Sequence, residues 1–229
     1  MVTRIKLCGF TRAEDIAAAV HEGVHAIGLV FYAFSPRYVT PELAQTLMAA
    51  IPPFVTTVGL FVNATPEEVQ STLKYAPVQL LQFHGDETVQ QCHAIAEAVQ
   101  RPFIRALRVS ADMKAEDLLQ YEADYRNSSS WFRGLLLDTF ADSYGGSGKV
   151  FDWSIIPKEL APRVVLSGGL TVHNVGGAVE QLRPYAVDTS SGIELSKGIK
   201  DHAKMRALIQ AVQLADANLP ENLHESQSH

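Results

Sequence analysis

The chain has 229 residues, 47% of them hydrophobic and 19% charged, with 15 Gly and 11 Pro scattered along it. This balance excludes disordered, collagenous and disulfide-scaffold classes and suits a globular protein with one large core. A formal net charge of −6 argues against nucleic acid or an anionic membrane surface as a partner, since either needs a basic face to displace counterions.

Short apolar, β-branched runs recur, and most are followed by residues with helical spacing. Strands are expected to start near Arg4, Ala26, Val55, Gln79, Phe103, Gly134, Arg163 and Tyr185. Thr11-Arg12-Ala13-Glu14 resembles a capping box before the first helix, and Thr40-Pro41-Glu42 and Thr65-Pro66-Glu67 each place Pro at the first helical position after a Thr cap. Later helices are expected over residues 87–99, 112–121, 171–182 and 202–214. After the sixth strand, Asp142-Ser143-Tyr144-Gly145-Gly146-Ser147-Gly148-Lys149 carries too much Gly for a helix. It is expected to be a long mobile loop or lid before a short helical stretch near residues 153–156. The division expected is a barrel domain over 1–215 and a frayed polar tail over 216–229.

Eight such βα units in this length predict a single-domain α/β fold, a (βα)8 TIM barrel with parallel inner strands. An open doubly wound sheet would need a topological switch point, and no Gly-x-Gly-x-x-Gly opens the first helix. In a barrel, active residues belong at the C-terminal ends of the strands and in the loops that follow.

Those ends carry Cys8, His84, Asp138, Ser167-Gly168-Gly169 and Asp188-Thr189-Ser190-Ser191-Gly192. Strand alternation puts Lys6 with Cys8, Gln82 with His84, Leu136 with Asp138 and Ala186 with Asp188 on the inner face, leaving Leu7, Phe83 and Leu137 to face the helices. Cys8 admits two readings, a small buried hydrophobe or a catalyst whose thiolate Lys6 favours from one layer below. Lys6 can equally serve a structural ion pair, and Cys92, in the middle of a helix, reads as packing. Asp138 is either a loop cap or an acid facing a base across the barrel mouth, and His84 either a loop residue or a ligand contact.

Two glycine and serine turns on the final strands offer unhindered backbone N–H groups, so a small phosphorylated, anionic substrate is expected. Arg37, held by Pro36 in the second βα loop, suits a bidentate grip on a carboxylate. No Cys/His cluster has metal spacing. Two cysteines, no apolar leader and no membrane-length apolar run point to a cytoplasmic protein with no membrane partner.

In order along residues 4–213, Lys6-Leu7-Cys8-Gly9, Ser35-Pro36-Arg37-Tyr38, Gln82-Phe83-His84-Gly85, Leu137-Asp138-Thr139, Tyr144-Gly145-Gly146-Ser147-Gly148, Ser167-Gly168-Gly169 and Asp188-Thr189-Ser190-Ser191-Gly192 resemble the phosphoribosylanthranilate isomerase family. The resemblance implies an Amadori rearrangement in tryptophan biosynthesis without a cofactor, carried out by a monomer or homodimer. It implies Asp138 as general acid and Cys8 as general base. It further implies Arg37 on the anthranilate carboxylate, His84 and Asp188 on substrate hydroxyl or amine groups, and Gly168, Gly169, Ser190, Ser191 and Gly192 on phosphate. A histidine-pathway ribotide isomerase, the nearest rival, resembles this chain in its phosphate loops but uses Asp where Cys8 stands. A non-catalytic phospho-ligand module would be expected to lack the acid or the base.

Overall fold

The computed structural model describes residues 2–139 and 151–218. The proposed lid over 142–149 and most of the proposed tail lie outside the described residues. Eight parallel strands alternate with helices through most of the chain. They are β1 (Arg4–Cys8), β2 (Ala26–Val30), β3 (Thr56–Phe61), β4 (Leu80–Phe83), β5 (Phe103–Val109), β6 (Phe132–Thr139), β7 (Val165–Leu166) and β8 (Ala186–Thr189). Each pairs with the next, and β8 returns to β1 with Lys6 opposite Asp188, closing the barrel. Every expected strand start falls within two residues of the observed one.

The helices are α1 (Ala13–His21), α2 (Pro41–Met48), α3 (Pro66–Tyr75), α4 (Val89–Val99), α5 (Ala115–Ser128), α6 (Val175–Leu182) and α7 (His202–Asn218). The caps of α2 and α3 are as expected: Thr40 accepts from the Leu43 amide, and Thr65 forms a reciprocal capping box with Glu68. Thr11 does not cap α1. Arg12 occupies that position without a side-chain cap bond, and Thr11 Oγ1 donates instead to the Gly198 carbonyl at 2.6 Å. Between β6 and β7, the described residues contain only two 3-10 turns, Trp153–Ile155 and Ala161–Arg163. After β8, a small antiparallel hairpin forms from β9 (Glu194–Ser196) and β10 (Ile199–Lys200).

Strand alternation divides the apolar residues into two cores. Leu7, Phe83 and Leu137 point outward into the large core under the helices. Leu80, Ile104, Ala106, Leu136, Val165 and Ala186 fill the barrel interior. This apolar plug seals the lumen and leaves polar side chains to the mouth. The expected boundary at 215 falls inside α7, which continues to Asn218. Asp216 accepts from the Thr3 amide and the Thr3 hydroxyl, both at 2.7 Å, so the last described helix is tied to the start of the barrel.

Candidate active site

Above the plug the mouth opens into a cleft. Cys8, Arg37, His84, Asp138, Gly168, Gly169, Asp188, Ser190 and Ser191 all line it. Residues from six of the eight βα units thus meet in one place. Gly192 is not in the lining. A side-chain carbon there would fall 2.0 Å from the Leu170 carbonyl oxygen, so glycine allows two loops to pack against each other. Thr189 Oγ1 fastens the same contact by donating to the Leu170 carbonyl at 2.8 Å.

Lys6 lies one layer below Cys8 and donates to Asp188 Oδ1 at 2.8 Å, both side chains being buried. Burial works against the Lys6 ammonium, but Asp188 and Cys8 outweigh it and hold its pKa above the ordinary value. Ser167 Oγ donates to the other Asp188 oxygen at 3.2 Å. The electropositive setting expected for Cys8 is therefore present but does not prevail. Burial, joined by the Asp188 charge, raises the thiol pKa more than the Lys6 and Lys200 charges lower it.

Asp138, near the end of β6, accepts from the Thr139 amide through Oδ1 at 2.8 Å. Its Oδ2 lies 3.1 Å from His84 Nε2. Gln82 Nε2 stands 2.9 Å from His84 Nδ1, so the ring is held between Gln82 and Asp138. The turn after β7 is held open by geometry. Gly168 and Gly169 have φ of +81° and +66°, and a side-chain carbon at Gly168 would fall 2.4 Å from the Thr139 amide nitrogen and 2.8 Å from Asp138 Oδ1. The acid's own seat thus requires this glycine.

Arg37 already grips a carboxylate, but one belonging to the chain. Its Nε and Nη2 donate to the two oxygens of Glu194 at 2.7 and 2.8 Å. Lys200 donates to the same Glu194 at 3.0 Å and reaches the Cys8 carbonyl at 2.6 Å and the Ser190 carbonyl at 3.2 Å. Glu194 and Lys200 are functional candidates that the sequence reading missed. The local signal was the Gly198 turn between short apolar runs, which marks a hairpin but says nothing about what its charges touch.

A closed barrel with its reactive polar groups gathered at the C-terminal mouth is the arrangement of the (βα)8-barrel enzymes. Over residues 5–211 the chain matches the family model described as N-(5'-phosphoribosyl)anthranilate (PRA) isomerase, and it belongs to that family, an isomerase family of tryptophan biosynthesis. The N-(5'-phosphoribosyl)anthranilate isomerase of Herminiimonas arsenicoxydans is 64% identical, covering 95% of this chain and 96% of that protein. A solved phosphoribosylanthranilate isomerase in complex with reduced 1-(o-carboxyphenylamino)-1-deoxyribulose 5-phosphate is 37% identical, with a TM-score of 0.78 over 93% of this chain and 99% of that one. Monomers generated from the dimeric Thermotoga maritima isomerase are 36% identical, with a TM-score of 0.78 and the same coverage.

Proposed function

We propose that the chain converts N-(5-phosphoribosyl)anthranilate to 1-(2-carboxyphenylamino)-1-deoxyribulose 5-phosphate, with Asp138 as general acid and Cys8 as general base. The observation that carries this reading is the opening of both side chains into one cleft, Asp138 from β6 and Cys8 from β1. Asp138 delivers a proton to the furanose ring oxygen, and the bond from that oxygen to C1′ breaks as the anilino nitrogen lone pair forms a C=N bond. The resulting iminium acidifies the C2′–H bond. Cys8 takes that proton as a thiolate, which Lys6 and Lys200 favour against burial. The enolamine that results tautomerises to the ketone as its C2′ hydroxyl proton is lost and C1′ is protonated, so the transfers assigned to Asp138 and Cys8 are those at the ring oxygen and at C2′.

Arg37 holds the anthranilate carboxylate through the Nη1/Nη2 edge that Glu194 leaves unused. Asp188, fixed by Lys6 and Ser167, and His84, fixed by Gln82, contact the substrate hydroxyl or amine groups. Backbone N–H groups of the Gly168-Gly169 and Ser190-Ser191-Gly192 turns bind the phosphate. Every residue named belongs to one protomer, so a monomer and a homodimer serve the reaction alike. Two free, buried cysteines suit a reducing cytoplasm.

Freshly prepared phosphoribosylanthranilate is fluorescent, and purified protein is expected to accelerate its decay over the spontaneous rate while leaving the histidine-pathway ribotide unchanged. Turnover of the ribotide alone would overturn the substrate assignment, and turnover of neither would reduce the protein to a binder.

A further inference from the structure

We propose that Glu194 is a positioning residue that sets substrate specificity, holding Arg37 so that its outer edge receives the carboxylate of an N-aryl phosphosugar. The proposal rests on Arg37 as the carboxylate contact. Four observations carry it. First, Glu194 takes the Nε/Nη2 edge of Arg37 in a two-bond fork at 2.7 and 2.8 Å, and both side chains are largely buried. A free arginine loses much rotamer entropy on binding, and a fork of this kind meets that cost before substrate arrives.

Second, the Arg37 stem lies flat on Gly9, where a side-chain carbon would fall 2.4 Å from Arg37 Cδ and 3.2 Å from Cγ. The arginine is thus held at its stem and at one edge of its head. Its Nη1 has no hydrogen-bond partner among the described residues and lies on the edge opposite Nε.

Third, the charges do not balance. Glu194 receives Arg37 and Lys200 together, with Lys200 Nζ fully buried and 3.0 Å from Oε1. One carboxylate between two cations leaves one positive charge over, which suits a single incoming carboxylate and disfavours a neutral ring. Without the Glu194 charge, the two cations would repel each other and Arg37 would swing toward solvent.

Fourth, Lys200 reaches the Cys8 carbonyl and the Ser190 carbonyl, and the Gly198 amide donates to Glu194 at 3.3 Å. The β9–β10 hairpin therefore sets the carboxylate grip in register with the loop of the base and with the last phosphate turn. Glu194 acts through Arg37 and does not touch the reacting atoms.

The test is steady-state kinetics of Glu194→Gln with phosphoribosylanthranilate, together with inhibition by two reduced product analogues, one with and one without the ring carboxylate. KM is expected to rise about tenfold or more, a change of ~1.4 kcal/mol, while kcat stays within about threefold. The preference for the carboxylated inhibitor should fall by the same factor, with binding of the other analogue unchanged. A loss of kcat with KM and the inhibitor preference intact would overturn the proposal. Arg37→Ala serves as the control. If it abolishes the preference and Glu194→Gln does not, Glu194 has no positioning role; if Arg37→Ala keeps the preference, the carboxylate reading of Arg37 fails and the proposal falls with it. Should Glu194→Gln not fold, Glu194→Asp keeps the charge, withdraws the fork by one methylene and carries the same expectation.

Discussion

Gly28 stands directly beside Cys8 in the register of β1 and β2, and a side-chain carbon on it would lie 2.6 Å from Cys8 Sγ and 3.1 Å from Cys8 Cα. The thiol occupies the space that the glycine leaves. Gly28→Ala is expected to displace Sγ and lower kcat at least tenfold, with an overpacking cost of about 1–3 kcal/mol in stability. Kinetics on the folded variant check this. Wild-type kcat would show that the seat of Cys8 does not depend on Gly28.

Burial is the largest influence on the Cys8 thiol and sets its pKa above the ordinary value, with Lys6 the strongest opposing charge. Alkylation by iodoacetamide should therefore accelerate only above the pH range of a free thiol, near 8.5. Lys6→Met is expected to move the profile further upward. Lys6→Met with Asp188→Asn avoids an unpaired buried carboxylate and should give a smaller shift in the same direction. Cys92, pushed up to about 12 chiefly by burial, should stay silent. An unchanged profile in both variants would remove Lys6 as the tuning charge.

Asp15, fully buried on α1, holds the barrel seam together. It accepts from Arg12, lies 2.9 Å from His202 Nε2 and accepts from the Lys200 amide at 3.1 Å. Burial pushes its carboxyl up, but these partners outweigh it and leave the folded pKa below the ordinary value. The unfolded chain therefore takes up the proton first as pH falls. The stabilisation is fully present above the ordinary aspartate value, near 3.9, and is lost as pH drops through the lower folded value. Asp15→Asn should cost about 1–3 kcal/mol in urea unfolding at pH 7, and the gap to wild type should narrow below about pH 4. A gap independent of pH would contradict the ionic account.

Thr3 and Asp216 fasten the two ends of the described chain with two bonds of 2.7 Å. A chain cut after Ala215 is expected to be about 1–3 kcal/mol less stable than one cut after Asn218, a fall of several degrees in Tm. Equal melting temperatures would show that residues 216–218 add nothing to the stability of the barrel.

The features legible in the sequence were those with local causes. The inside and outside faces of β1, β4, β6 and β8 follow from alternation alone, and the Thr-Pro starts of α2 and α3 are complete within four residues. Local reading failed where a distant partner decides. Thr11 looks like a cap, but the Gly198 carbonyl, 187 residues away, takes its hydroxyl. Helix α6 starts at Val175 and not at Thr171, because Asn174 turns back to accept from the Thr171 amide. Helix α5 runs on to Ser128 because Tyr125 packs on Phe103 and Phe132. In the site, Cys8, Asp138, His84 and the glycine turns were readable from their places at strand ends. The partner of Arg37 was not, since Glu194 lies 157 residues on and only barrel closure brings them together.

The central claim is that Asp138 and Cys8 divide the proton transfers at the ring oxygen and at C2′ between them. Its most direct test is kcat for phosphoribosylanthranilate in Asp138→Asn and Cys8→Ser, each shown to be folded by circular dichroism. Each variant is expected to lose at least about 10²-fold, the scale of one general acid or base. Near-normal turnover in either folded variant would contradict the role assigned to that residue.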